Sequence, residues 1–155
     1  MLILHIENEI REEKYRLNFK LIFPFPPMDI PSNLKYEYEI MVTEEYVARG
    51  IGLDVQVFST PSLVLCMETA AYKAVEKYIP EGFTTVGTGI CIRHIKATPI
   101  GDKVRCVATL VKREGNKLEF EVEAYDSEGK IGEGKHWRYI IDIEKFQKGL
   151  RRKKI

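Results

Sequence analysis

Several functional classes are excluded by what the chain lacks. Its three cysteines, Cys66, Cys91 and Cys106, are widely spaced and odd in number, which argues against a disulfide framework. Their apolar neighbours predict buried free thiols and a reducing compartment. No apolar run approaches the roughly 18 residues of a membrane span, so no membrane partner is expected. Residues 1–6 are apolar but carry no basic leader or cleavage site, so a cytoplasmic location is the expectation. A net charge of +1 gives no global case for a nucleic-acid partner. The basic tail at 151–154 reads first as a solvated helix end, where cations are favoured, and only second as a binding patch. No two His or Cys have ligand spacing, so no metal site is expected. Gly87-x-Gly89 follows no βαβ unit, which removes a dinucleotide reading. A serine nucleophile elbow is absent as well.

What remains is a chain of 155 residues, 45% apolar and 30% charged, enough for one soluble domain with its own core. It is organised around residues 60–78. Thr60 reads as a helix N-cap and Pro61 suits the first turn. Leu63, Met67, Ala70, Ala74 and Tyr78 form an apolar file, flanked by Val64, Ala71 and Val75. Ile79-Pro80-Glu81-Gly82 ends the helix. Glu68 is the misfit, because at about 100° per residue it falls between Val64, Tyr72 and Val75. A carboxylate beside a buried stripe is costly unless something pairs with it.

Before the helix, residues 2–6 and the alternating 15–23 read as strands, and Pro24, Pro26, Pro27 and Pro31 enforce an extended loop. Residues 1–33 are thus an N-terminal extension and 34–155 the main domain. A strand is predicted over 34–42, then a short helix capped by Thr43 and ending near Gly50, then a loop over 52–58. After the helix the period changes from 3.6 to 2. Strands are predicted at 84–95, 103–112, 117–124 and 131–141, joined by tight turns, with a last helix capped by Asp142. In the first of these, Val86, Thr88, Ile90, Ile92 and His94 share a face, and Gly87, Gly89, Cys91, Arg93 and Ile95 the other. Segregated elements of this kind predict α+β, one antiparallel sheet wrapped around one helix.

Thr60, Glu68 and His94 are the candidates for chemistry. Thr60 lies at a helix N-terminus, where amide N–H groups and the macrodipole stabilise the oxyanion formed when a thioester or ester is attacked. Desolvation beside the stripe makes Glu68 a usable base or nucleophile. His94, if its face meets the helix, can orient Glu68 or move a proton. Each also has a plain structural reading: Thr60 as a cap, Glu68 as a helix-edge residue paired with lysine, His94 as a strand-end histidine bonded to backbone. His136, near Arg138, reads as structural.

Phe58-Ser59-Thr60, Met67-Glu68, Gly87-Thr88, His94 and Ala97-Thr98-Pro99-x-Gly101 together resemble the fluoroacetyl-CoA thioesterase family of hotdog-fold proteins, over a stretch from about Leu34 into Ile143-Glu144-Lys145-Phe146. The resemblance implies a hotdog fold and hydrolysis of a small or medium acyl thioester, on CoA or an acyl-carrier protein. It implies a homodimer or dimer of dimers with the site at the subunit interface, and no cofactor beyond the coenzyme A of the substrate. By the same resemblance Thr60, Glu68 and His94 are catalytic, with Glu68 as nucleophile or as base toward water. Gly87 offers a backbone N–H to the thioester carbonyl. Thr88 and Arg138, the latter in a matching Gly134-x-His136-x-Arg138 segment, bind substrate. The chain departs from the family in Pro61, which stands where members have Gly, and in lacking an aromatic lid within 41–58. Fluoroacetyl specificity is therefore not part of the expectation. A non-catalytic acyl-CoA binding protein and a hotdog hydratase or dehydratase remain alternatives, separable by release of free thiol.

Overall fold

A computed structural model describes residues 26–47 and 55–152. The predicted strands at 2–6 and 15–23, the start of the proline-rich loop and the 48–54 connection lie outside the described residues. In chain order the elements are β1 (Lys35–Met41), α1 (Thr60–Glu76), β2 (Phe83–His94), β3 (Lys103–Glu114), β4 (Lys117–Asp126), β5 (Gly129–Asp142) and α2 (Ile143–Arg151). The strands form one sheet in the order β1-β3-β4-β5-β2, and every neighbouring pair is antiparallel.

The sheet wraps α1 because both present small or branched apolar side chains to each other. Leu63, Cys66, Met67, Ala70, Ala71, Ala74 and Val75 are the buried face of α1. Opposite them lie Val104, Cys106, Ala108 and Leu110 of β3, Leu118, Phe120, Val122 and Ala124 of β4, and Ile131 and Ile140 of β5. Each large side chain fully buried here, such as Leu63 or Phe120, contributes about 1.5–3 kcal/mol. On β4 the alternate residues Glu119 and Glu123 face outward and pair with Lys135 at 2.9 Å and Lys130 at 2.6 Å. Such exposed pairs are worth about 1 kcal/mol or less. From the extension, Met28 and Ile30 join the core, and Arg113 donates to the Met28 carbonyl at 2.7 Å.

Four local readings differ from expectation. The N-cap of α1 is Ser59, whose hydroxyl accepts from the Ser62 N–H at 3.2 Å, and Thr60 is already helical. The short helix is a single 3-10 turn, Glu44–Tyr46, and Thr43 donates to Glu45 at 3.0 Å instead of capping it. Cys91 is exposed, while Cys66 and Cys106 are buried, where each other's proximity and desolvation push the Cys106 thiol upward. Finally, β2 has an extra residue between Gly87 and Gly89, so the two-residue alternation breaks at Thr88. Gly87 pairs with Arg138 and Ile90 with His136, both on the helix side, while Val86 pairs with Tyr139 on the outer side. The bulge therefore moves Val86 off, and Gly87 onto, the face that carries Ile90, Ile92 and His94. Asp142 caps α2 as expected, accepting from the Lys145 N–H at 3.0 Å.

Candidate active site

The structure gathers the predicted residues into two groups along α1. In the first, Thr60 Oγ1 lies 3.0 Å from His94 Nδ1. His94, at the end of β2, meets the start of α1 because β2 runs along the helix on the inner face of the sheet. Its ring stacks edge-on against Phe58, centroids 6.4 Å apart, and Phe58 in turn meets Tyr46 at 6.4 Å. Burial lowers the pKa of His94 below the ordinary 6.5, opposed in part by the Lys96 carbonyl. Its Nε2 is buried and has no hydrogen-bond partner among the described residues. A neutral imidazole beside an exposed hydroxyl can accept that hydroxyl's proton.

The helix tip itself offers less than its position suggests. Ser59 takes the Ser62 N–H through its side chain and the Leu63 N–H through its carbonyl, at 2.9 Å. Pro61 has no N–H, which leaves the Thr60 amide as the first-turn donor that no described hydrogen bond uses.

The second group surrounds Glu68. The expected partner was His94, but the imidazole facing Glu68 is that of His136, with Nε2 at 3.9 Å from Oε1. His136 is fully buried, and its Nδ1 lies 2.8 Å from the Gly89 carbonyl. Arg138 Nη1 lies 3.2 Å from His136 Nε2, its Nε donates to Thr85 Oγ1 at 2.9 Å, and its Nη2 donates to the Thr85 carbonyl at 2.9 Å. The guanidinium carbon stands 5.7 Å from the centre of the Tyr72 ring. Because arginine cannot accept and a carbonyl cannot donate, the tautomer is settled: Nδ1 carries the hydrogen and Nε2 accepts from Arg138. Desolvation lowers the His136 pKa, and Arg138 adds to this against the Gly89 bond and Glu68. The imidazole is thus neutral, and its approach to Glu68 is a polar contact, not an ion pair. Arg138, expected to reach substrate, has three of its five N–H groups used within the protein.

Gly87 completes this group. A Cβ on it would lie 2.9 Å from Glu68 Oε1, 3.3 Å from His136 Cε1 and 3.8 Å from Arg138 Nη1. Without a side chain, its peptide is the wall against which the carboxylate rests. Thr88, the extra residue of the bulge, is exposed. A bulge leaves its extra residue outside the ladder, and this one lies beside the residue that meets the carboxylate. Sequence reading passed over His136 as structural; its place in Gly134-x-His136-x-Arg138, at the spacing of two same-face residues on a strand, was the available signal.

Comparison with known proteins points the same way. The family described as fluoroacetyl-CoA-specific thioesterase matches residues 42–144. The fluoroacetyl-CoA thioesterase of Streptantibioticus cattleyicolor is 40% identical over 98 residues, 63% of this chain and 70% of that protein. Among solved structures, the fluoroacetyl-CoA thioesterase FlK superposes with a TM-score of 0.75 at 30% identity, covering 81% of this chain and 98% of that one. A thioesterase-superfamily protein of Thermus thermophilus gives 0.76 at 32% identity, covering 83% and 94%. With a wrapped central helix, an acid on its sheet-facing side and this likeness in sequence, the chain belongs to the fluoroacetyl-CoA-specific thioesterase family and is a hotdog-fold acyl-CoA thioester hydrolase.

Proposed function

We propose that the chain hydrolyses a small or medium acyl-CoA in a site shared between two subunits, with Thr60 and His94 supplied by one and Glu68 by the other. The supporting observation is a distance. Eight residues of α1 separate Thr60 from Glu68, a rise of about 12 Å. Seven residues of β2 separate Gly87 from His94, roughly 23 Å at strand spacing. Groups acting on one carbonyl carbon must lie within about 3.5 Å of the reacting atoms. Within one subunit the two groups therefore address different places, and a two-fold copy brings the acid of one against the hydroxyl and imidazole of the other. Among the described residues β1 and β2 are the edges of the sheet, and an edge is backbone that such a copy can cover.

In this site the Glu68 carboxylate attacks the thioester carbonyl or activates water, and the N–H groups at Gly87 and Thr88 hold the oxyanion. Water supplies both the oxygen of the carboxylate product and the proton of the thiol, whether Glu68 activates it directly or it opens the anhydride that Glu68 forms, and Thr60 and His94 relay that proton to the departing thiolate. The products are a carboxylate and free CoA, and coenzyme A enters only as part of the substrate. The related FlK has been solved with acetyl-CoA in a threonine-to-serine variant, and with fluoroacetate and CoA. Those ligands support a short acyl group. No helix among the described residues is long and apolar enough to cross a membrane, and a cytoplasmic enzyme acting on soluble acyl-CoA is the reading adopted.

The test is thiol release across a panel of acyl-CoAs, combined with mixed dimers. Thr60→Ala and Glu68→Gln are each expected to be inactive, whereas coexpression restores about a quarter of wild-type activity, since half the dimers are mixed and one of their two sites is intact. A monomer by light scattering, or no recovery in verified mixed dimers, would refute the shared site.

The pH profile follows from His94. Its pKa is lowered on folding, so the unfolded chain binds more protons as pH falls below 6.5. Stability is therefore full above that value and declines below it, and His136, lowered as well, acts in the same direction. The acidic limb of kcat/KM that belongs to His94 is expected below the ordinary imidazole range, and to vanish in His94→Asn, which keeps an amide near Nδ1. A limb at or above 6.5 assigned to His94 would contradict the burial argument.

A further inference from the structure

We infer that His136 is a positioning residue for thioester hydrolysis, a neutral latch that holds the Gly87–Gly89 bulge of β2 in the shape that presents its N–H groups beside Glu68. The inference rests on the site reading above and adds a residue that does not itself touch substrate.

An extra residue in an antiparallel ladder breaks the local hydrogen-bond pattern, and a strand with two glycines has little side-chain packing to hold the irregular shape. Something must fix it if its N–H groups are to meet an oxyanion at a set place. A side chain from the neighbouring strand does so, because His136 Nδ1–H donates to the Gly89 carbonyl at 2.8 Å. That bond can form only from the Nδ1–H tautomer. The tautomer is in turn dictated by Arg138, whose Nη1 donates to Nε2 at 3.2 Å. Arg138 is itself fixed by two bonds to Thr85, on β2 just before the bulge. The chain of contacts runs from β2 before the bulge, through two β5 side chains, and back to β2 after it. It clamps the irregular segment from both ends.

The same contacts exclude a second role. With one nitrogen donating to a carbonyl and the other accepting from a guanidinium, His136 has no lone pair free for a proton in flight. It lies against Glu68, 3.9 Å away, but is not the base's partner in proton transfer. It sets where the carboxylate rests and where the bulge amides point. Two imidazoles in the fold thus have opposite tasks: His94 keeps an uncommitted nitrogen, and His136 has both committed.

The test compares His136→Asn with His136→Phe in acetyl-CoA hydrolysis, with acyl chains up to hexanoyl-CoA as further probes. Asparagine places an amide N–H near the position of Nδ1 and keeps the bond to Gly89, while phenylalanine fills the space and cannot donate. His136→Phe is expected to lose about 100-fold in kcat with KM within about threefold, the signature of misplaced groups, and His136→Asn to recover to within about tenfold of wild type. A role in packing alone predicts the reverse order, because phenylalanine fills the cavity better. His136→Phe within threefold of wild type, or a folded His136→Asn no better than His136→Phe, would overturn the latch. A second measurement does not depend on either variant folding. Nitrogen-15 NMR of the wild-type protein at neutral pH should show His136 as a neutral Nδ1–H imidazole. An Nε2–H tautomer or a charged ring there would overturn it equally. If the wild type releases no thiol from any probe, the site reading fails, and the NMR result alone decides whether the clamp exists.

Discussion

Glu68→Gln is expected to lower kcat by about 10²- to 10⁴-fold while leaving the fold intact, the range assigned to loss of a positioned base. The substitution keeps the shape of the side chain and removes its charge, and with it the ability to attack or to take a proton. Glu68 is partly exposed, 37% by side-chain area, so the amide can be solvated; the neutral His136 loses no charged partner, and the buried Arg138, which the carboxylate favours, keeps its bonds to Thr85. Melting temperature should stay within about 3 °C, since a change of 1 kcal/mol moves a chain of this size by roughly that much. Isotope labelling addresses the two routes open to Glu68. In a single turnover of wild-type enzyme in oxygen-18 water, label in the Glu68 carboxyl reports a covalent anhydride opened at the glutamyl carbonyl; label in the product alone fits either a base or an anhydride opened at its acyl carbonyl, which trapping of the acyl-enzyme with hydroxylamine tells apart. Retention of wild-type kcat by Glu68→Gln across the acyl-CoA panel would remove the acid from the chemistry.

The outline of the fold was legible because its signals are local. The stripe of α1, the alternation of β4 through Leu118, Phe120, Val122 and Ala124, and the Gly115 and Gly129 turns each follow from a few neighbouring residues. Glu68 stood out for the same reason, as a single charge on an apolar side. Two features were not legible, each for a physical cause. Whether Ser59 or Thr60 caps α1 turns on one peptide's dihedral angles, and adjacent hydroxyl residues offer the backbone equal chemistry. The bulge at Thr88 depends on what β5 places opposite β2, which no window of sequence contains. Missing it had consequences beyond one residue. Uninterrupted alternation sends Gly87 away from the helix and offers His94 as the partner of Glu68. With the bulge, Gly87 turns toward the helix beside Glu68 and His136, while His94 lies further along β2, at Thr60.

Two glycine substitutions should part activity from stability most clearly. At Gly87 an added Cβ would lie 2.9 Å from Glu68 Oε1, the far end of a flexible side chain. The carboxylate can swing aside, so the fold survives, but the acid is displaced by about an ångström, which is worth about 10²-fold in rate. Gly87→Ala is therefore expected to lose about that much kcat with a melting temperature within about 3 °C of wild type. At Gly134 the obstacle is backbone: a Cβ would lie 2.1 Å from the Cys91 carbonyl oxygen and 2.7 Å from the Ile92 Cα. Neither can move without parting β2 from β5, and overpacking of this kind costs about 3 kcal/mol. Gly134→Ala should thus melt roughly 6–12 °C lower. Since β2 and β5 together carry His94, the bulge, His136 and Arg138, its remaining folded fraction should also be impaired. The contrast follows from chemistry on either side of one strand pair, where a movable carboxylate faces the first glycine and a fixed peptide the second. Equal losses of stability at both positions, measured by thermal melts, would show that Glu68 does not rest against Gly87, and the geometry assigned to the acid would fall with it.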